Sequence, residues 1–301
     1  MAINRANIAK QLVPGLNAIF ALNYKSIDNE HTPLFEMEGS ERAFEEEVLM
    51  TLFDTAPVKQ EGAAVEYDTA QEGYTSRFTH ETVALAFAIT EEAIEDNLYD
   101  TFSKVRAKGL ARAMANTKQV KAANIFNNGF NTSFPGGDGL PLFSASHPTR
   151  SAGVQSNTVS SDLSEAAIET ALINIALTED DRGILIGAGA KSLHIPPQLV
   201  YVACRILKSP LRQGTADNDV NALRDMGELP GGYTVNHRFT DTNAWFIKTD
   251  VPNGTKMFKR VGLNTAMEGD FDTGNMRYKA RERYSFGFSD WRQWYGSNGS
   301  S

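Results

Sequence analysis

The chain has 301 residues, 41% hydrophobic and 22% charged, with a formal net charge of -8 at pH 7. That length and composition allow one large or two modest cores, and the acidic balance argues against a dedicated DNA-binding module, whose footprint is a basic domain. The single cysteine, Cys204, excludes an intrachain disulfide and a cysteine-based zinc site, and fits a reducing, cytosolic site of synthesis.

The N-terminal stretch MAINRANIAKQLVPG lacks the apolar core of a signal peptide. The longest clean apolar run, Val83 to Ile89, falls far short of the ~18–20 residues of a membrane span, so no membrane partner is expected. Residues 1–36 read as an arm rather than a domain. Leu16, Ile19, Phe20 and Tyr24 share one helical face, Pro14-Gly15 breaks the stretch, and so short a helix needs something to dock on. Glu38 to Phe53 turns from acidic to apolar and reads equally as a short helix or a strand.

Pro57 to Thr90 has the pattern of a long hairpin. Val65 and Tyr67 come first, then a polar turn region with Gly73, then Phe78, and then Val83, Leu85, Phe87 and Ile89 at period two. Its tip is polar, and a long two-stranded ribbon is marginal unless it packs on its own subunit or on a neighbour.

Thr90 to Gly129 reads as one long helix without proline. Ile94, Leu98, Phe102, Val105, Leu110 and Ala113 give a buried stripe. Thr90 caps it, Glu91 and Glu92 suit the first turn, and Asn127-Asn128-Gly129 stops it. Such a rod would run roughly 50–55 Å. Lys104, Arg106, Lys108, Arg112, Lys118 and Lys121 form a basic run spread around it, either a solvated surface that meets other subunits or one that faces a polyanion.

Asn131 to Ser161, rich in Gly, Pro, Ser and Thr, reads as a surface loop or interaction segment. Asp162 to Asp180 is a helix with Ile168, Ala171, Leu172 and Ile175 on one face. Ile184-Leu185-Ile186 and Leu193-His194-Ile195 are buried-strand candidates, and a helix starts at Pro196-Pro197 and runs over Gln198 to Lys208. After a polar loop, Leu211 to Gly232, come strands at Tyr233 to Phe239, Ala244 to Thr249 and Lys256 to Lys259. Residues 162 to about 255 thus form a compact α/β unit. Arg277 to Phe288 alternates, with Tyr278, Ala280, Tyr284, Phe286 and Phe288 on one face, and belongs in a sheet beside the long helix.

Three local patterns tempt a chemical reading. Gly183 to Ser192 resembles a phosphate loop, but Ala190 stands where glycine should precede Lys191, and a strand rather than a helix follows. Asp217, Asp219, Asn221, Asp225 and Glu228 fall at calcium-loop positions, but Ala222 replaces the turn glycine and Leu229-Pro230 forbids an exiting helix, leaving an acidic loop. Ser144, Ser146 and His147 lack the strand-turn-helix setting of a serine nucleophile.

The order arm, polar-tipped hairpin, long helix, inserted α/β unit and aromatic return resembles the major capsid proteins of tailed double-stranded DNA bacteriophages, most closely the Mu-like major head subunit group. The likeness rests on AFAITEEAIEDNLYD entering the helix, on NNGFN followed by DGLPLFSASHP, and on ERYSFGFSDWRQWYG. It implies an α+β tailed-phage major capsid fold. Its parts would be an N-terminal arm (1–36), an extended β-hairpin loop with its flank (37–89), a peripheral domain with a spine helix (90–161 and 256–301), and an inserted α/β axial domain (162–255).

The resemblance further implies a structural protein without enzymatic activity or cofactor, assembling as homo-pentamers and homo-hexamers into an icosahedral shell around phage DNA. Lys59, Glu61, Gly62, Tyr67, Gly73 and Tyr74 would lie on the loop that covers an adjacent subunit. Asp217, Asp219, Arg224 and Asp225 would lie near the capsomer centre. The basic helix residues would meet DNA, without sequence preference, or a neighbouring subunit. Scaffolding and portal proteins are implied partners, and the virion, assembled in the host cytoplasm, is the implied location. Some members begin with a cleaved scaffolding domain; a start near the arm implies a separate scaffold or a trimmed sequence. Some members cross-link a loop lysine, but nothing marks a partner for Lys59. An encapsulin-like nanocompartment is the alternative on the same fold.

Overall fold

The computed structural model describes residues 16–27, 29–62, 64–90, 99–149, 153–211, 219–270 and 274–299. Two sheets organise the molecule. The first is four-stranded, in the order β1 (Glu36–Gly39), β11 (Thr255–Gly269), β12 (Met276–Phe288), β4 (Glu81–Ile89). The second is five-stranded, in the order β7 (Thr158–Val159), β13 (Trp294–Ser297), β10 (Trp245–Thr249), β8 (Ala190–Ile195), β9 (Tyr233–Val235). A separate hairpin pairs β2 (Phe44–Met50) with β3 (Glu72–Thr79), and β5 (His147–Pro148) pairs with β6 (Val154–Gln155).

The first sheet carries helix α2 (Tyr99–Asn127), which packs against β4 and β12. At about 1.5 Å per residue its described length is about 43 Å. The first turn expected at Glu91 and Glu92, with Ile94 and Leu98, lies outside the described residues, as does the side chain of Phe102, and with it the turn that Thr90 would cap. The expected stripe holds at Leu110, which is buried, but not at Val105, which is 63% exposed; the rest of the buried face is Ala107, Ala111, Met114, Ala122, Ala123 and Phe126. The face is largely alanine because α2 is approached by both the sheet and helix α1 (residues 16–25), and only small side chains let them come close.

Leu16 and Phe20 are buried against Ala107, Leu110, Met114 and Tyr278, as the spacing of α1 requires. The segment that reads as an arm is therefore, from residue 16, part of this core, and Leu34 and Phe35 continue it. Gly129 does close the helix, with its N–H on Phe126 O at 2.9 Å. It needs no left-handed backbone there. A Cβ would instead stand 2.7 Å from the Phe143 ring.

The stretch 38–53 resolves into strands. The hairpin expected over 57–90 does not form; a hairpin of other strands does. β3 pairs back to β2, Phe44 opposite Thr79, while the period-two run of β4 pairs with β12, Phe87 opposite Tyr278. Residues 51–71 form the excursion between β2 and β3, closed at its root by Thr51 N–H on Gln71 O at 2.9 Å. Alternation at 83–89 marks a strand but does not say which strand it joins.

Residues 131–161 are not a loose surface loop. Leu142, Phe143, His147 and Asn157 are all buried. The Asn157 amide donates to Leu142 O (2.8 Å) and Trp294 O (3.1 Å), and its Oδ1 accepts from Ser144 N–H (2.9 Å). Phe143 joins Phe126, Phe246 and Trp294 in the core between the two sheets. Outside the short β5–β6 and β7 pairings the chain runs irregularly, with backbone groups of Leu142 and Ser144 satisfied by a buried side-chain amide rather than by a ladder.

The second sheet is covered by α3 (Glu165–Ala176), capped by Ser164, and by α4 (Val200–Lys208), around Ile168, Ile175, Leu193, Trp245 and Ile247. Leu185 and Ile186 are exposed and make only an isolated bridge, so the run 184–186 is not a buried strand. β11 is much longer than Lys256 to Lys259. The C-terminal segment also divides: β12 belongs to the first sheet, but β13 crosses into the second, between β10 and β7.

Candidate functional site

Two surfaces hold the functional candidates: the projecting hairpin and the outer face of α2. The excursion 51–71 exposes Leu52, Phe53, Val58, Val65 and Tyr67, with Val58 at 96% and Tyr67 at 95%. Lys59 and Glu61 are exposed beside them, and Gly62 turns the chain at φ 78°. Such apolar exposure on a segment with no core of its own marks an interaction surface. The root is held at one further point, where Arg182 Nη2 donates to Thr69 O at 3.0 Å. Backbone N–H groups of Asp54 and Thr69 hold the Asp68 carboxyl below its usual range.

Gly73 and Tyr74 do not share that tip; both lie in β3. The Tyr74 hydroxyl is buried, without a hydrogen-bond partner among the described residues. Burial, then the nearby Asp290, pushes it far above the ordinary tyrosine range. A Cβ on Gly137 would meet Tyr74 and Ser76 side chains at 2.7 Å, so the glycine-rich loop seats directly on the hairpin base.

The hairpin joins the first sheet through residues 40–43 on one side and His80 alone on the other. His80 Nε2 lies 2.8 Å from Ser40 Oγ, and Nδ1 lies 3.0 Å from Ser285 Oγ on β12. Ser40 also donates to Glu45 Oε1 at 2.7 Å. Lys256 on β11 binds Glu38 (2.9 Å) and Glu47, tying β1 and β2 to the same sheet. Ser40 and Glu45 are five residues apart, but His80, Lys256 and Ser285 come from distant parts of the chain, so no local spacing announces the cluster.

On α2, the structure separates the six basic residues. Lys118 pairs with buried Glu282 on β12 and bonds Tyr24 of α1, and Lys121 pairs with Glu81 on β4. Lys118 thus serves the chain's own packing, and Lys121 is tied at the surface to a carboxylate of its own chain. Arg106 Nη1 donates to Ala88 O at 2.8 Å. Lys104, Arg106, Lys108 and Arg112 are exposed.

Asp217 lies outside the described residues. Asp219, Arg224 and Asp225 are exposed around helix α5 (Ala222–Met226), whose N-cap Asn221 accepts from Arg224 N–H at 3.3 Å. Asn221 is also spent on Ser209 O at 3.1 Å. A helix inside the would-be calcium loop, and a ligand position committed to backbone, remove that reading. Among the described residues no histidine, cysteine and carboxylate group could hold a metal ion.

His147 shows why the serine–histidine pattern is structural. It is fully buried, 2.6 Å from Asp138 Oδ2, 3.2 Å from Asn157 Oδ1, and stacked on Trp291 at 4.3 Å. No substrate reaches an imidazole so enclosed. His194 is equally inaccessible; burial, then Lys248, pushes its pKa down to about 3, and Ser192 Oγ lies 2.9 Å away. Lys191 and Ser192 sit inside β8, so the glycine-rich segment before them opens no helix. Among the described residues no helix is long and apolar enough to cross a membrane.

Comparison with known proteins assigns this arrangement. The family model described as phage capsid protein matches residues 73–297. No curated protein matches the chain. The fold is similar to the capsid of an empty GTA particle at 13% identity and TM-score 0.60, covering 91% of each chain. It is similar to the procapsid of bacteriophage JBD30 at 14% identity and TM-score 0.53, covering 98% of this chain and 76% of that one. A virus-like particle from Pyrococcus furiosus matches at 10% identity and TM-score 0.55, covering 94% and 98%. The chain belongs to the phage capsid protein family, with the fold of the tailed-phage major capsid proteins.

Proposed function

We propose that this capsid protein self-assembles as pentamers and hexamers into an icosahedral shell that encloses double-stranded phage DNA. The observation that carries the reading is the excursion 51–71. It exposes Leu52, Phe53, Val58, Val65 and Tyr67, none covered by the chain's described residues. A neighbouring copy is the natural cover, because a heterologous contact repeated by rotation closes into rings. In this reading α2 is the spine helix of a peripheral domain and the five-stranded sheet is the axial domain. Exposed Asp219, Arg224 and Asp225 then face the capsomer centre, with Lys59, Glu61, Gly62 and Tyr67 on the neighbour-clamping loop. Scaffolding and portal proteins complete the assembly, in the host cytoplasm, without a cofactor or catalytic step. The segments 86–100, 127–148 and 282–296 support the Mu-like head subunit group.

Electron microscopy of the purified subunit, alone and with its scaffold, tests the proposal. Closed shells with five- and six-fold capsomers are expected. A protein that stays monomeric under all assembly conditions refutes it. Particles that hold an enzyme rather than DNA would move it to the nanocompartment reading.

A further inference from the structure

The basic run of α2 has two fates. Lys118 and Lys121 are consumed inside the chain by Glu282 and Glu81. Lys108 and Arg112, one turn apart, instead line a cleft of about 700 Å³ between α2, the end of α1 and the turn after β9. Arg238 enters the same cleft from that turn. Its Nη1 is held by Glu30 at 2.8 Å and its Nη2 by Asn116 Oδ1 at 3.3 Å, which fixes the guanidinium and leaves the Asn116 amide hydrogens for another acceptor. Among the described residues no carboxylate lines the cleft, and Lys108 and Arg112 have no ion-pair partner.

The remaining wall says which anion fits. Asn23, Ser26 and Asn116 supply amide and hydroxyl groups, and Ile27 is the only large apolar side chain among the described lining residues. A neighbour's excursion 51–71 would bring Leu52, Phe53, Val58 and Tyr67 with its carboxylates, and this cleft has little apolar surface to receive them. Guanidinium, ammonium and amide donors around an open groove suit phosphate oxygens.

We infer that the Lys108–Arg112–Arg238 cleft is a phosphate site for the backbone of nucleic acid, bound without reading its sequence. The inference deepens the shell reading and rests on it for the direction the cleft faces, inward onto the packaged DNA. It replaces a diffuse basic helix by one site built from three elements, and adds Arg238 to it.

The test measures binding of a short labelled DNA duplex to the full-length protein by fluorescence anisotropy across salt concentrations. Neutralising two phosphate contacts in Lys108→Gln/Arg112→Gln should lower the slope of log affinity against log salt by about 1.8, at about 0.9 per phosphate. Lys108→Gln alone should lower it by about half as much, and the charge-matched Arg205→Gln/Lys208→Gln on α4 should leave it unchanged. Equal slopes for wild type and the double variant overturn the inference. So does a synthetic peptide of residues 51–71 that binds wild type and not the double variant while duplex binding is unaffected; the cleft would then be a subunit contact. Micrographs of the wild type are read separately: shells without duplex binding sink this site alone, whereas absence of shells sinks the assembly reading.

Discussion

Ser40 Oγ lies 2.8 Å from His80 Nε2, and these two residues stand in the two links that join the hairpin to the body. Both are buried, and Ser285 on β12 completes the tie. Burial, then Arg283, holds the imidazole below its ordinary pKa, with Arg260 acting the same way and Glu45 against it. The unfolded chain therefore binds this proton more readily than the folded one. The contribution of His80 is whole above about pH 6.5 and is lost as the pH falls below that toward its folded value. His80→Ala removes both hydrogen bonds and should cost about 1–3 kcal/mol at pH 7, at about 0.5–1.5 per bond. The variant should also lose less stability than wild type on acidification from pH 7 to 5. Urea denaturation at the two pH values measures both; a variant with the wild-type pH slope contradicts the assignment.

Glu282 lies on the face of β12 that meets α2, where every other side chain is apolar or aromatic, and Lys118 alone neutralises it among the described residues. Lys118→Met strands a buried carboxylate and should destabilise the subunit by about 3–5 kcal/mol, whereas Lys118→Met/Glu282→Leu should recover most of the loss. Thermal melts of the three proteins decide this. A neutral single variant would return Lys118 to the outer basic face.

Phe143 is held between two glycines from different parts of the chain. A Cβ on Gly129 or on Gly296 would meet its ring at 2.7 Å. Gly296→Ala should cost about 1–3 kcal/mol through overpacking. In a Phe143→Leu background the same substitution should cost clearly less, because the two sites share one contact. Additive losses in the double-mutant cycle would show that the glycine matters for another reason.

The excursion can be shortened without touching its root, because Thr51 and Gln71 are already bonded to each other. Replacing residues 55–67 by a short Gly/Ser turn should leave the melting temperature within a few degrees and abolish stable shells. A deletion that reaches Tyr74 is a poorer experiment, since it removes from β3 a half-buried side chain whose hydroxyl is buried. Normal shells from the shortened protein would remove the loop from the assembly contact.

Much of the fold is legible in the sequence because side-chain periodicity is a local signal. Leu16, Phe20, Ile168, Ile175, Tyr278 and Tyr284 take the buried positions their spacing implies. Partner choice is not local. The run 83–89 reads as a strand, but its pairing with β12 depends on residues far along the chain. The expected α2 stripe holds at Leu110 and fails at Val105, and most of the buried face goes unread because alanine carries little hydrophobic signal, although Ala107 and Ala111 pack with α1 and Ala122 and Ala123 with Leu34 and Phe35. The 131–161 segment has the composition of a surface loop because much of its order comes from side chains, Asn157 on Leu142, Ser144 and Trp294 and Asp138 on Leu140 and His147, which no periodicity marks. At the candidate sites, polarity and length mark Glu61 and Gly62 as part of an exposed tip, but they also place a turn around Gly73, which lies in β3, and Val65 and Tyr67 in a strand, although both are exposed in the excursion. The Ser40–His80 tie and the entry of Arg238 beside Arg112 are not legible, since each joins residues separated by tens of positions or more.

β13 lies between β10 and β7, yet it follows every other strand of its sheet in the chain. While the polypeptide emerges from the ribosome, β8, β9 and β10 can pair, but the edge of β10 stays open until Trp294 to Ser297 arrive. An open edge is a template for the wrong partner. Translation order thus acts as a timer: a subunit gains its finished second sheet only after the rest of that sheet has been made, and an interrupted chain is left with an adhesive edge rather than a usable tile.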